Sequence, residues 1–271
     1  MQGLIIKIIS GDYFVKVNEE IIKCKPLGVF RHKKVTPKVG DIVEVEENTI
    51  TKIQERKNEL IRPVVANIDK VFIVTSLVEP DLNLNLLDRI ICQAEYNNIE
   101  IVLVFTKVDL TDANKYNNIF EYYKSLGYRI YLAPNDFELI KKEIDNNVCV
   151  VAGQSGVGKS TLINLFDNFN IKTDEISKAL GRGKHTTRHV ELYSVFDGLV
   201  VDTPGFSALD LSDLTNIDIR DNMKEMFDNL DYCKYRDCMH IKEDNCYIKY
   251  LVDKNEIMKS RYDNYLSFLK K

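Results

Sequence analysis

Three short motifs carry residues whose types and spacing could do chemistry on a nucleotide. GQSGVGKS, Gly153 to Ser160, fits G-x-x-x-x-G-K-[ST] without a mismatch. The apolar run Val148-Cys149-Val150-Val151 before it reads as a buried strand, and Thr161-Leu162-Ile163-Asn164-Leu165-Phe166 after it reads as the start of a helix. In that setting glycines let backbone N–H groups turn inward around phosphates, and the helix N-terminus adds a favourable dipole. Gly153, Gln154, Ser155, Gly156, Val157, Gly158, Lys159, Ser160 and Thr161 are the expected phosphate contacts. Lys159 would reach the β- and γ-phosphates, and the Ser160 hydroxyl would ligate Mg²⁺.

The second motif, Asp202-Thr203-Pro204-Gly205, ends the apolar strand Leu199-Val200-Val201. Asp202 can hold Mg²⁺ through a water, and the Gly205 N–H can meet the γ-phosphate. Alone such a string is a common turn; downstream of a phosphate loop it gains meaning. Between the two lies the basic segment GRGKHTTRH, Gly181 to His189, in which Thr186 or Thr187 can complete the Mg²⁺ shell. The third motif, Thr106-Lys107-Val108-Asp109, closes the strand Ile101–Phe105. The Asp109 carboxylate can accept from both the N1 and N2 donors of guanine, a pair adenine lacks, so GTP is expected over ATP. The Lys107 stem would cover the base. Thr106 stands where ordinary GTPases have Asn, which leaves the tie between base loop and phosphate loop open. The companion base loop falls near Leu132-Ala133-Pro134-Asn135, where only Ala133 matches.

The base-reading motif precedes the phosphate loop, and the metal motif comes last. Ordinary GTPases begin with the phosphate loop, so the rotated order points to a circularly permuted GTPase.

A separate cluster, Cys233, Cys238, His240 and Cys246, has the spacing C-x4-C-x-H-x5-C. Three thiolates and one imidazole make a closed tetrahedral shell, the signature of a structural zinc site with no open position for catalysis. The remaining cysteines, Cys24, Cys92 and Cys149, have apolar or strand-like neighbours and read as inert. Six cysteines in 271 residues do not suggest a disulfide scaffold.

The elements that must position these groups fall into three regions. Residues 1–62 hold five short β-branched stretches, Leu4–Ile9, Tyr13–Val17, Glu20–Lys25, Asp41–Val45 and Thr49–Ile53, which predict an OB-fold barrel. Lys23, Lys25, Arg31, Lys33, Lys34 and Lys38 lie there without an intervening acid, beside Phe30 and His32. They form either an RNA-backbone surface or an ordinary solvated loop. Net charge of −4 excludes a generally basic nucleic-acid binder, so any such contact is local. Residues 63–210 make the permuted α/β GTPase domain. Residues 211–271 predict a zinc-bearing helical domain, with helical spacing over Thr215–Leu230 (Ile219, Met223, Met226, Phe227, Leu230) and over Tyr247–Leu269 (Leu251, Met258, Tyr262, Tyr265, Leu266, Leu269). With 45% apolar residues the chain can build a sizeable core, and no apolar run approaches the ~18 residues a membrane span needs. The N-terminus lacks the charged start and cleavage site of a signal peptide, and a cytoplasmic monomer without membrane contact is expected.

Taken together, RKNELIRPVVANIDKVFIV, TKVD, GQSGVGKSTLIN, GRGKHTTRHVELY, DTPGF and CKYRDCMH followed by Cys246 resemble the ribosome small-subunit-dependent GTPase A family over essentially the full length. The resemblance implies an OB-fold and a zinc domain flanking a permuted GTPase. It also implies binding to the nearly finished small ribosomal subunit and its rRNA, and GTP hydrolysis linked to release. Phe206 occupies the position of the usual water-orienting Gln, and His185 is the substitute the resemblance offers for holding the attacking water. Arg182, Lys184 or Arg188 can neutralise developing charge or touch rRNA. Slow intrinsic turnover, stimulated by the ribosomal subunit, is the expected behaviour. A nucleotide-switched binding module and a P-loop kinase or ATPase are the competing classes; preference for ATP would favour the latter.

Overall fold

Alternation of apolar and polar side chains sets the first five strands, β1 (Gln2–Ile9), β2 (Asp12–Val17), β3 (Glu20–Pro26), β4 (Ile42–Glu46) and β5 (Thr49–Ile53). In β2, Tyr13, Val15 and Val17 are buried while Phe14 and Lys16 are half-exposed, the period-two pattern of a strand with one face inward. The computed structural model describes residues 1–32, 35–60, 64–166, 190–202 and 211–270, with residues 31, 32, 165, 166 and 202 described by backbone alone. The chain groups into two compact units. One takes Met1–Val71, Glu138–Val151 and Ser160–Phe206, the other Phe72–Phe137, Ala152–Lys159 and Ser207–Lys271.

In the first unit the five strands close as β1-β2-β3-β5-β4, with β4 returning antiparallel to β1 and β3 parallel to β5. This is the OB-like barrel read from the sequence, filled by Ile5, Val15, Val43, Val45 and Ile50. A short helix, α1 (Val29–His32), follows β3. Arg56 fastens the barrel's exit. Its guanidinium donates to both Asp41 oxygens (2.7 and 2.8 Å), to Glu59 (2.5 Å) and to the Thr36 carbonyl (2.9 Å). A small ladder, β6 (Glu59–Leu60) with β7 (Val65–Ala66), follows. A bulge between Ile5 and Lys7 interrupts the β1–β2 register. Beyond it Lys7 pairs with Glu191 of β12 (Glu191–Val195), and their side chains form an ion pair at 2.6 Å. β12 pairs antiparallel with β13 (Gly198–Asp202), which runs parallel to β11 (Val148–Ala152). The barrel is therefore continuous with the strands that flank the phosphate and metal motifs. Helix α4 (Phe137–Ile144) carries Glu143, which receives the buried Lys70 ammonium at 2.7 Å.

The second unit contains the order β10-β9-β8, in which β8 (Lys70–Ser76) and β9 (Glu100–Thr106) are apolar runs and β10 (Arg129–Leu132) runs parallel to β9. Its helices include α2 (Leu84–Tyr96) and α3 (Asn117–Ser125). Helix α5 (Lys159–Phe166) starts at the phosphate-loop lysine.

The two long helices predicted near the C-terminus each break in two. The first becomes α6 (Asn216–Asp221) and α7 (Lys224–Asp228), interrupted where the fully buried Met223 takes extended backbone. Thr215 opens α6 with a capping box to Asp218. The second becomes α8 (Tyr247–Asp253) and α9 (Lys259–Phe268). Asn255 turns left-handed (φ +60°), its N–H donates to the Val252 carbonyl, and the Glu256 N–H donates to Leu251. That double closure ends a helix firmly and drops Ile257 into the core. The core joins Ile219, Met223, Met226, Leu251, Ile257 and Tyr265 to Cys92 of α2, whereas Phe227 stays exposed. Beneath it sits a buried charged cluster. Arg261 donates to Asp88 (2.6 Å) and Glu225 (2.7 Å), while Tyr123 and Asn264 donate to Asp88 and Tyr122 to Glu225. No helix among the described residues is long and apolar enough to cross a membrane.

Candidate nucleotide site and metal centre

The phosphate loop leaves β11 at Gly153, whose φ of +142° and position demand glycine. A Cβ there would stand 2.0 Å from the Val74 carbonyl oxygen, so the loop lies flush against β8. Gly156 and Gly158 also have positive φ, at +84° and +95°. The Lys159 ammonium folds back over the loop and donates to the carbonyls of Gly153 (2.7 Å) and Gln154 (2.6 Å). Burial pushes its pKa down to about 8. Among the described residues, the hydrogen-bond partners of this ammonium are those two neutral carbonyls.

The base loop meets the phosphate loop directly. The Thr106 hydroxyl donates to the Val157 carbonyl at 2.6 Å, with the Thr75 carbonyl 3.3 Å away. Thr106 is buried, and its side chain packs 3.8 Å from where a Cβ on Gly158 would stand. The tie left open by the sequence is therefore made by threonine. Lys107 takes left-handed backbone (φ +58°), and its ammonium donates to the Glu79 carbonyl. Asp109 sits exposed in the 3-10 turn Val108–Leu110, able to meet an incoming donor pair. Ala133 is buried, with its N–H on the Phe105 carbonyl at 2.8 Å, so the companion loop is held at the end of β9. Its turn is closed by Asp136, whose carboxylate accepts the Leu132 N–H at 2.7 Å.

Ser160 and Thr161 fall in the first turn of α5, and Asp202 ends β13. His185, Thr186, Thr187 and Gly205, like Lys33 and Lys34, lie outside the described residues, as do the side chains of Arg31 and Asp202. Of the other basic residues read as an RNA surface, Lys23 and Lys25 both pair with Asp12, and Lys38 pairs with Glu59 at 2.9 Å. One carboxylate, Asp12, thus serves two ammonium groups. The loop after β8, Leu77 to Pro80, was not singled out by sequence. The Glu-Pro step directly after a buried strand was its one available signal.

The four ligand-type side chains near the C-terminus converge, their donor atoms all within 4.8 Å of one another. Cys233 Sγ lies 3.6 Å from His240 Nδ1 and 3.9 Å from Cys246 Sγ, and Nδ1 lies 3.3 Å from Cys246 Sγ. A tetrahedral ion with ~2.3 Å bonds to sulfur and ~2.0 Å to nitrogen sets edges of about 3.8 Å (S···S) and 3.5 Å (S···N). The three edges among Cys233, His240 and Cys246 are close to those dimensions, and the four donors together could hold a metal ion. Burial lowers the His240 pKa to about 4, favouring the neutral imidazole a metal needs. Burial also pushes the Cys238 thiol up to about 12 and raises Cys246, so three thiolates could gather here only around a cation. The loop carrying His240 is held by the Glu243 carboxylate, which accepts the N–H groups of Met239, Ile241 and Lys242, and by Tyr262, which donates to the His240 carbonyl (2.6 Å).

Residues 53–212 match the family described as RsgA GTPase, and residues 2–52 match the RsgA N-terminal domain. The chain belongs to the RsgA GTPase family. One member, small ribosomal subunit biogenesis GTPase RsgA 2 of Oceanobacillus iheyensis, is 46% identical over 99% of this chain and 96% of that protein. RsgA of Bacillus cytotoxicus is 43% identical over the same shares. Two solved structures are similar in fold. YloQ, described as a circularly permuted GTPase, has a TM-score of 0.79 and 34% identity over 98% of this chain and 93% of that one. YjeQ from Thermotoga maritima has a TM-score of 0.83 and 32% identity over 98% and 96%. The rotated motif order, the barrel and the GTPase class read from the sequence are those of the RsgA family.

Proposed function

We propose that this chain hydrolyses GTP to GDP and phosphate while bound to the small ribosomal subunit, assisting its late maturation. The observation that carries this reading is the 2.6 Å hydrogen bond from Thr106 to Val157. It fastens a guanine-reading loop to a phosphate loop, so recognition of the base and grip on the phosphates form one device. The names of the relatives supply the ribosomal subunit as partner.

In this reading the amides of Gly153–Thr161 and the Lys159 ammonium take the phosphates. Asp109 takes the guanine N1 and N2 donors, flanked by Thr106, Lys107 and Ala133. Ser160, with Thr186 or Thr187 and Asp202, holds Mg²⁺, Gly205 meets the γ-phosphate, and His185 orients the attacking water. The Cys233–Cys238–His240–Cys246 shell takes one structural Zn²⁺, the metal its thiolate-rich donor set suits. Lys23, Lys25, Arg31, Lys33, Lys34 and Lys38 meet rRNA phosphates, the paired lysines exchanging carboxylate for phosphate as RNA arrives. The functional regions are 1–62, 63–210 and 211–271, in a monomeric cytoplasmic protein.

The test is GTP hydrolysis by the purified protein with and without isolated small ribosomal subunits, with ATP as control. Large GTP-specific stimulation supports the reading. GTP binding without stimulation favours a nucleotide-switched binding module, and preference for ATP overturns the role of Asp109.

A further inference from the structure

The loop that leaves β8 is laced to both halves of the nucleotide site. Ser76, itself fully buried, donates from its hydroxyl to the Pro80 carbonyl at 2.6 Å and so closes the loop on itself. The Leu77 N–H donates to the Thr106 carbonyl at 3.2 Å, and Tyr116 donates from its hydroxyl to the Leu77 carbonyl at 3.2 Å. On the phosphate side, Pro80 Cδ lies 3.7 Å from where a Cβ on Gly156 would stand. At the tip, Glu79 adopts left-handed backbone (φ +50°), and its carbonyl receives the Lys107 ammonium.

The consequence for Lys107 is specific. A lysine leaving left-handed backbone beside an open pocket would ordinarily sample many rotamers, and ordering it on ligand arrival costs affinity. Here its two ends are fixed, the backbone by the base loop and the ammonium by Glu79. The four methylenes between them are held at both ends. From this we infer that the Leu77–Pro80 loop is a further wall of the nucleotide site, with Ser76 and Glu79 acting as positioning residues that hold Lys107 extended for a purine to stack on.

The inference rests on the reading of this site as a guanine-nucleotide site, and the ligand class is a purine nucleotide. Ser76 never touches the base; it acts through the loop and Lys107. The loop's contribution therefore falls on binding more than on the chemical step, and it disappears when Lys107 has no ammonium to anchor.

The experiment is a double-mutant cycle on the full-length protein, read by titration with a fluorescent GDP analogue and by steady-state GTP hydrolysis. The variants are Ser76→Ala, Lys107→Met, which keeps an apolar stem without the ammonium, and the two combined. Pro80→Gly tests the same loop while leaving the Ser76 side chain in place, and Ser76→Thr restores the hydroxyl. Ser76→Ala and Pro80→Gly are expected to weaken GDP binding about 3- to 10-fold and to raise KM more than they lower kcat. In the Lys107→Met background, Ser76→Ala is expected to add less than about a twofold change. With Lys107 intact, Ser76→Thr is expected to keep most of the wild-type affinity. Fully additive losses, or undiminished affinity in both loop variants, would overturn the inference. Failure of the wild-type protein to bind GDP would instead strike the assignment of the site itself.

Discussion

Thr106 and Val157 are joined by a hydrogen bond of 2.6 Å between a buried hydroxyl and a phosphate-loop carbonyl. The bond ties the loop that would read the base to the loop that would hold the phosphates. Thr106→Val keeps the shape and removes the donor, leaving the Val157 carbonyl without its partner. It is expected to cost about 1–2 kcal/mol, or roughly tenfold in GDP affinity. Thr106→Ser keeps the donor and is expected to stay within about threefold of wild type. Calorimetric titration of the two variants decides the matter, and equal losses in both would show that packing rather than the hydrogen bond matters.

Lys159 gives the site a pH dependence of definite sign. In the nucleotide-free protein burial lowers its pKa from 10.5 to about 8. Bound phosphates favour the ammonium and raise that pKa, so the complex holds more protons than the free protein above about pH 8. Affinity is then full below pH 8 and falls as pH rises beyond it, by up to about tenfold per unit. Net proton uptake on GDP binding at about pH 8.5, measured by calorimetry in two buffers of different ionisation enthalpy, checks the sign.

Arg261 neutralises two buried carboxylates contributed by different helices, Asp88 and Glu225. Replacing it with Met would leave both without their cation in a region where all three are almost wholly buried. A loss of about 3–5 kcal/mol is expected, because stranded charge costs more than the intact pair contributes. Thermal unfolding of Arg261→Met should show a drop far larger than that of Lys259→Met, which removes an exposed pair from the same helix.

Glu243 is expected to matter for metal retention although it is not a ligand. Its carboxylate fixes three amides flanking His240, those of Met239, Ile241 and Lys242, and that loop sets where Nδ1 points. Glu243→Ala should weaken zinc binding about 10- to 100-fold, as removal of a group that orients a ligand commonly does. Competition with a chromogenic chelator measures this, and Cys238→Ser supplies the reference for loss of a ligand.

The barrel strands and the phosphate loop were legible because each rests on a local rule: alternation in β2, glycine spacing before α5. The metal cluster was legible for the same reason, since its four ligands lie close together in sequence. What the sequence concealed depends on distant partners. Helical spacing continues through Met223 and Asn255, so the breaks there follow from burial of Met223 and from a left-handed turn that periodicity does not register. Nothing local in the sequence marks Arg261, whose partners Asp88 and Glu225 lie far away along the chain. Thr106 looked like a weakened asparagine, and only the position of Val157 shows that a hydroxyl reaches as far as the site requires.

The pairing of Lys7 with Glu191 has a consequence for how the molecule is made. β1 can find β2 and β4 within the next few dozen residues of the chain. Beyond Leu4, where β4 stops pairing, the Lys7 end of β1 meets β12 only once residue 191 has been synthesised, so until then a nascent chain carries a short open stretch of strand edge. Such an edge invites wrong pairing. The ion pair at 2.6 Å and the bulge beside it mark the register in which that edge is finally closed. Closure of that stretch is thus timed by the arrival of the strand that follows the GKHTTRH segment, and a chain stalled short of it would be left with part of β1 open to wrong pairing.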